Sequence, residues 1–142
     1  MRKRVFVFTG AAVLFSAVCV LAQQKNAPSS QMKSATAAVE GLVRDIACPI
    51  QNAEATATNF NLQCALDCAR QGSPLIILSK QGTIYIPISN EMPDKSQTQR
   101  LMPFLGKWVR VTGHVYTRGG AHAIAIDTIE EVKGVRLNSN AQ

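Results

Sequence analysis

Two segments near the C-terminus alternate apolar and polar residues with the period of a β-strand, and they constrain the fold most. They read "KWVRVTGHVYT" and "AHAIAIDTIEEV", and "RGG" lies between them. The valines of the first segment stand at odd positions, whereas Ile124 and Ile126 stand at even ones. Their buried faces therefore meet only if the numbers of paired residues sum to an odd number. A two-residue turn at Gly119-Gly120 gives that parity, so the segments are predicted to form a tight hairpin.

Three further segments have the composition of strands. "VEGLVRDIAC" begins at Val39 and contains Gly41, and a glycine inside a strand suggests a bulge or a sharp bend. "SPLIILSKQGTIYIPIS" is interpreted as two strands, at residues 75–79 and 83–89, joined by a tight turn at "KQG". Five short strands with a bent first strand favour a small closed β-barrel of the OB type, and all five are expected to be antiparallel.

One or two short helices complete the predicted fold, which is mainly β. The first carries "QCALDCARQG", with Asn59 or Asn61 as its N-cap and Gly72 at its C-terminal end. The second lies within "DKSQTQRLMPFLG", where Pro103 limits its length and Gly106 ends it.

The N-terminus has the pattern of a secretory signal peptide. "MRKR" precedes the apolar run "VFVFTGAAVLFSAVCVLA", which ends in a small residue, Ala22. A retained anchor is the alternative, because the run is close to the shortest length that spans a bilayer. Cleavage gives a periplasmic or secreted protein that has lost Cys19. The predicted organisation is a signal peptide at 1–22, a flexible tether at 23–38, the barrel domain at 39–134 and a disordered tail at 135–142.

Charge and motifs argue against several classes of function. The formal net charge of +6 falls to about +3 when the leader removes Arg2, Lys3 and Arg4, which leaves a mildly basic chain without a basic block. Together with export, this argues against a nucleic-acid partner. The sequence has no G-x-S-x-G, no H-E-x-x-H and no phosphate-binding glycine loop, so we expect no enzymatic activity. We expect a monomer that does not contact the membrane after cleavage and whose partner is another envelope protein.

The three cysteines beyond the leader are the candidate functional residues. Cys64 and Cys68 are four residues apart, so a helix places them on one face, about 5 to 6 Å apart at Cβ. A disulfide needs Cβ atoms nearer about 3.8 Å, so each is better placed to meet a third cysteine. Cys48, at the end of the first strand, is expected within bonding reach of at least one of them.

Three interpretations of these cysteines stay open. A single disulfide, from Cys48 to Cys64 or to Cys68, would join the helix to the barrel in an oxidising compartment. Alternatively, all three are thiolate ligands of a soft metal ion, either copper(I) or zinc with a fourth ligand. In the third interpretation Cys48 exchanges disulfide partners, as in a thiol-redox protein.

A fourth zinc ligand is hard to find in the sequence. His114 and His122 lie on the two strands of the last hairpin, where odd-sum pairing sends them to opposite faces. The two histidines therefore cannot both be ligands of one metal site. Asp45 and Asp67 are candidate oxygen ligands, although Asp67 is next to Cys68 and is expected to point away from the cysteine face.

The same segments resemble a group of small exported bacterial domains of unknown function. The similarity covers about residues 39–132 and is carried by "VEGLVRDIAC", "CALDCARQGSPLIILSKQGTIYIP" and "LMPFLGKWVRVTGHVYTRGGAHAIAI". A looser similarity connects the chain to periplasmic bacterial OB-fold proteins. Many members of the group have a histidine between the first cysteine and the helix, and this chain has none there. Neither resemblance implies a reaction, so the expected function is that of an exported, non-enzymatic binding or accessory domain.

Overall fold

A computed structural model describes residues 34–141, which form a closed barrel of five strands in the order β1-β2-β3-β5-β4. The strands are β1 (Ala35–Asp45), β2 (Leu75–Leu78), β3 (Ile84–Ile88), β4 (Trp108–Arg118) and β5 (Ala121–Glu131). The predicted small closed barrel, mainly β with short helices, is confirmed.

One strand pair departs from the expected antiparallel arrangement. β3 and β5 are parallel, with Tyr85 opposite His122 and Ile88 opposite Ala125, while the other four neighbouring pairs are antiparallel. Parallel neighbours require a long crossover connection. Residues 89–120, which include β4, provide it, and the expectation of five antiparallel strands is corrected at this pair.

The β4–β5 hairpin has the predicted register in the half nearest its turn. Gly119 and Gly120 form the two-residue turn with φ of +56° and +83°, a region that favours glycine. Paired numbers sum to an odd value from the turn as far as Gly113 and Ile126. A β-bulge between Thr112 and Gly113 then changes the parity, which increases the local bend of the hairpin.

Four short helical segments connect the strands. They are α1 (Ala47–Gln51), α2 (Leu62–Arg70), α3 (Thr98–Leu101) and a 3₁₀ turn at Met102–Phe104. α2 and α3 correspond to the predicted helices, and Pro103 lies in the 3₁₀ turn. α1 was not predicted. Among residues 34–141, none of the helices has the length and apolar character needed to cross a membrane.

The core lies on both faces of β2. Leu75 and Ile77 belong to a cluster inside the barrel, which also contains Ala65 and Ala69 of α2. Ile76 and Leu78 point the other way, into a second cluster. The second cluster is completed by Leu42, Ala57, Phe60 and Trp108. A strand covered on both faces explains the continuous apolar run "LIIL".

Both ends of the barrel domain extend beyond the sequence prediction. β1 begins at Ala35, so residues 35–38 belong to the strand and not to a tether. Asn138 lies beside Asn59, where the Phe60 N–H donates to the Asn138 carbonyl at 2.9 Å and the Ala141 N–H donates to the Phe60 carbonyl at 3.1 Å. The expected tail therefore packs on the barrel at residues 138–141. The predicted leader and residues 23–33 of the predicted tether lie outside the described residues.

Gly41 stands where β1 passes from one neighbour to the other. Residues up to Leu42 pair with β4, and residues from Leu42 onward pair with β2. A Cβ atom at Gly41 would overlap the carbonyl oxygen of Leu78. The glycine therefore allows the close backbone approach that closes the barrel here.

We predict that Gly41→Ala lowers the free energy of unfolding by about 1 to 3 kcal/mol, because the new methyl group forces two hydrogen-bonded strands apart. Urea unfolding followed by circular dichroism measures the change. An unchanged unfolding midpoint would contradict the close approach of β1 and β2.

Candidate metal centre

Helix α2 presents two of the three cysteines, and both of its ends have the predicted caps. The Asn61 side chain accepts a hydrogen bond from the Cys64 N–H at 2.8 Å, which confirms it as the N-cap. At the other end Gly72 has φ of +92°, and the Ser73 N–H donates to the Cys68 carbonyl at 3.0 Å. The Cys64 N–H is therefore held by the Asn61 side chain and the Cys68 carbonyl by the Ser73 N–H, toward opposite ends of one short helix.

The packing of α2 explains why the cysteines remain accessible. Ala65 and Ala69 are buried against the barrel, and each follows a cysteine in the sequence. Because successive residues of a helix are about 100° apart around its axis, the cysteine stripe flanks the buried alanine stripe. Cys64 is exposed and Cys68 is half-buried. The two thiols thus lie at the margin of the helix–barrel contact.

Cys48 comes from the first turn of α1, three residues after β1 ends. The carboxylate of Asp45 accepts the Cys48 N–H at 2.8 Å, so the last residue of β1 is hydrogen-bonded to the first turn of α1. The sequence prediction placed Cys48 at the strand end and missed the helix. Asp45 lies three residues before Cys48, and Pro49 stands in the first turn of α1. These two residues are the signal that could have indicated the helix.

The three sulfur atoms form one group. The Sγ atoms of Cys48, Cys64 and Cys68 all lie within 4.8 Å of one another, and those of Cys48 and Cys64 are 3.3 Å apart. The expectation that Cys48 lies close to a cysteine of the helix is confirmed. All three are free thiols in this structure, so neither predicted disulfide is formed. An S–S bond would require about 2.05 Å.

The surroundings of the cluster favour protonated thiols when no metal is bound. Burial raises the pKa of Cys48 to about 11, and hydrogen bonds with Cys64 and Asp45 and the negative charge of Asp45 add to the effect. Burial also raises the pKa of Cys68, followed by the charge of Asp45. Near neutral pH these two side chains are therefore neutral thiols.

Asp45 and Arg44 form a buried charged pair beneath the cluster. Both are almost completely buried, and an Arg44 nitrogen lies 3.7 Å from Oδ1 of Asp45. Arg44 also donates to the Thr56 carbonyl at 3.2 Å, and its guanidinium carbon lies 5.8 Å from the centre of the Phe60 ring. Within the part of the chain that the structure describes, Oδ1 of Asp45 has no hydrogen-bond partner. Sequence reasoning missed Arg44, although a charged pair at the end of an apolar strand is unusual.

The other candidate ligands lie away from the sulfur atoms. His114 pairs with Ala125 and His122 with Thr117, which puts the histidines on opposite faces of the hairpin, as predicted. The Asp67 carboxylate bonds to Gln63 and Arg70, each at 3.0 Å. Among residues 34–141 the compact group of metal-ligating side chains at this place consists of the three cysteines alone.

Comparison with known proteins does not assign the site. No protein-family model matches the chain, and no curated protein or solved structure matches it either. The geometry of the three sulfurs and the chemistry of their neighbours are therefore what indicates a function.

We predict that Cys48 of the metal-free protein reacts with iodoacetamide at pH 8 about tenfold more slowly than in the urea-unfolded chain. Its raised pKa lowers the thiolate fraction about 100-fold relative to a cysteine with the ordinary pKa of 9.0, and the greater nucleophilicity of a more basic thiolate recovers about tenfold.

Peptide mass spectrometry as a function of pH measures this rate. Because the pKa is raised, the rate at Cys48 should continue to increase up to about pH 11. A rate that is half-maximal near pH 9, as for an ordinary cysteine, would show that the surroundings do not hold the proton.

Proposed function

We propose that this chain is an exported, non-enzymatic binding domain that holds one soft metal ion between Cys48, Cys64 and Cys68. The observation that carries the proposal is the mutual distance of their sulfur atoms, all within 4.8 Å. The signal-like leader supports export. Export leads to an oxidising compartment, where exposed thiols need protection from oxidation.

The sulfur distances suit a metal better than a disulfide. Zinc–sulfur bonds are about 2.3 Å long, so two tetrahedral thiolate ligands are about 3.8 Å apart. The closest pair, Cys48 and Cys64, is 3.3 Å apart, and no pair exceeds 4.8 Å. Movements of about 1 Å or less at the side chains would bring the three sulfurs to ligand distance, with no change in the helices.

Thiolate chemistry limits the choice of metal. Soft sulfur ligands select copper(I) and zinc over magnesium or calcium. Metal binding releases the thiol protons, so the raised pKa values of Cys48 and Cys68 make affinity strongly dependent on pH. A bound ion would also join the first turn of α1 to α2, and binding to the native state alone stabilises that state.

A thiol-redox role is the second candidate, and the 3.3 Å separation of Cys48 and Cys64 favours it. In that reaction the two thiols form a disulfide and give two electrons and two protons to a substrate disulfide, which becomes two thiols. The raised pKa of Cys48 argues against fast attack at neutral pH, because the thiolate is the nucleophile.

We predict that the protein isolated without reductant or chelator contains about one copper or zinc ion per chain, because its three-sulfur group supplies one site. Elemental analysis of the wild type and of Cys48→Ser, Cys64→Ser and Cys68→Ser measures the content. Each substitution should reduce the bound metal by tenfold or more, because two thiolates hold a soft ion poorly.

Gln63→Ser is the matched control, since it changes an exposed residue of the same helix that does not belong to the sulfur group. It should leave the metal content unchanged. A metal-free wild type that reduces a small disulfide catalytically would favour the redox role. A metal-free, inactive wild type would leave the cysteines without either function and direct attention to the barrel surface and an envelope partner.

A further inference from the structure

A cavity of about 240 Å³ lies beside the cysteine cluster, and two of the three cysteines line it. Cys48 and Cys64 form part of one wall. Phe60, Ala55 and Ala141 contribute apolar surface, and the buried Arg44 contributes a cation. At about 30 Å³ per water molecule, the volume holds about eight waters or one small organic molecule. The cavity is therefore large enough for a ligand that reaches the sulfur atoms.

The cysteine group provides three donors, which is one fewer than a tetrahedral ion requires. Structural zinc sites are closed by four protein ligands, whereas functional sites keep one position for water or substrate. The three sulfur atoms lie within 4.8 Å of one another, and among residues 34–141 no carboxylate oxygen or imidazole nitrogen joins this group. A zinc ion held there would keep an open fourth position unless Asp45 moved to fill it.

Charge favours a divalent ion over a monovalent one. Three thiolates around zinc(II) leave a net charge of −1, whereas three thiolates around copper(I) leave −2. The buried carboxylate of Asp45, which accepts the Cys48 N–H at 2.8 Å, lies beside the sulfur group and forms a charged pair with Arg44. The more positive ion is therefore better accommodated at this place.

We propose that the bound ion is zinc, that its fourth position opens into the cavity, and that a small thiol binds there as an exchangeable ligand. The inference rests on the proposed metal-binding function. The thiol loses its proton to solvent, and its sulfur replaces a water at the metal. A thiolate suits this position because it is soft and its carbon chain can pack on Phe60 and Ala55. The buried Arg44 in the cavity wall attracts the negative charge that the fourth thiolate adds.

Cobalt(II) substitution allows the fourth ligand to be observed directly. The full chain is loaded with cobalt(II) under anaerobic conditions and titrated with 2-mercaptoethanol. We expect a saturable increase of about one third in the sulfur-to-cobalt charge-transfer absorption, because a fourth thiolate joins three. Ethylene glycol, which has a hydroxyl in place of the thiol, should cause no such increase.

Two phenylalanine substitutions in one loop provide the matched comparison. Ala55→Phe fills the cavity, and the thiol midpoint should rise at least tenfold. Ala53→Phe adds the same side chain at a residue that does not line this cavity, and it should respond like the wild type. If Ala55→Phe does not fold, Ala141→Phe blocks the cavity from another wall.

The outcomes separate this inference from the metal-binding proposal. Cobalt bound through three cysteines with no response to the thiol would overturn the open position and retain the metal site. The same conclusion would follow if both cavity-filling variants responded like the wild type. Binding of copper(I) without cobalt or zinc would also overturn the inference alone, whereas failure to bind any of the three metals would overturn both proposals.

Discussion

The pairing of β1 with two neighbours holds this structure together. Leu42 lies opposite both Leu78 of β2 and Trp108 of β4, so one strand closes the barrel. The closure requires the glycine at position 41, because the β2 backbone occupies the space of a side chain there. β1 then ends at Asp45, whose carboxylate accepts a hydrogen bond from the Cys48 N–H. The position of the first cysteine therefore follows from the geometry of barrel closure.

The cysteine cluster is formed by elements that the barrel brings together, with little contribution from local sequence. Cys48 and Cys64 are separated by a loop that packs Phe60 against the outside of β2, while α2 rests on the barrel through its alanines. Burial and the neighbouring Asp45 keep Cys48 and Cys68 protonated in the metal-free state. A cation would reverse that preference, because it stabilises the thiolates that the carboxylate destabilises. A bound metal must therefore displace these protons, so its affinity is expected to increase with pH.

Most of the barrel could be predicted from the sequence, because strand alternation and turn glycines are local signals. The Gly119-Gly120 turn, the Asn61 cap and the proximity of Cys48 to the helix follow from such patterns. The parallel β3–β5 pair and the packing of residues 138–141 depend on contacts distant in sequence, which a single chain does not reveal. For the same reason the cavity beside the cysteines could not be anticipated.

X-ray absorption spectroscopy of the zinc-loaded protein tests the central claim most directly, because it counts the sulfur atoms around the ion. We expect three sulfur ligands at about 2.3 Å and one lighter atom in the absence of added thiol. A shell with fewer than three sulfurs, or one composed of oxygen and nitrogen alone, would contradict a metal centre built from Cys48, Cys64 and Cys68.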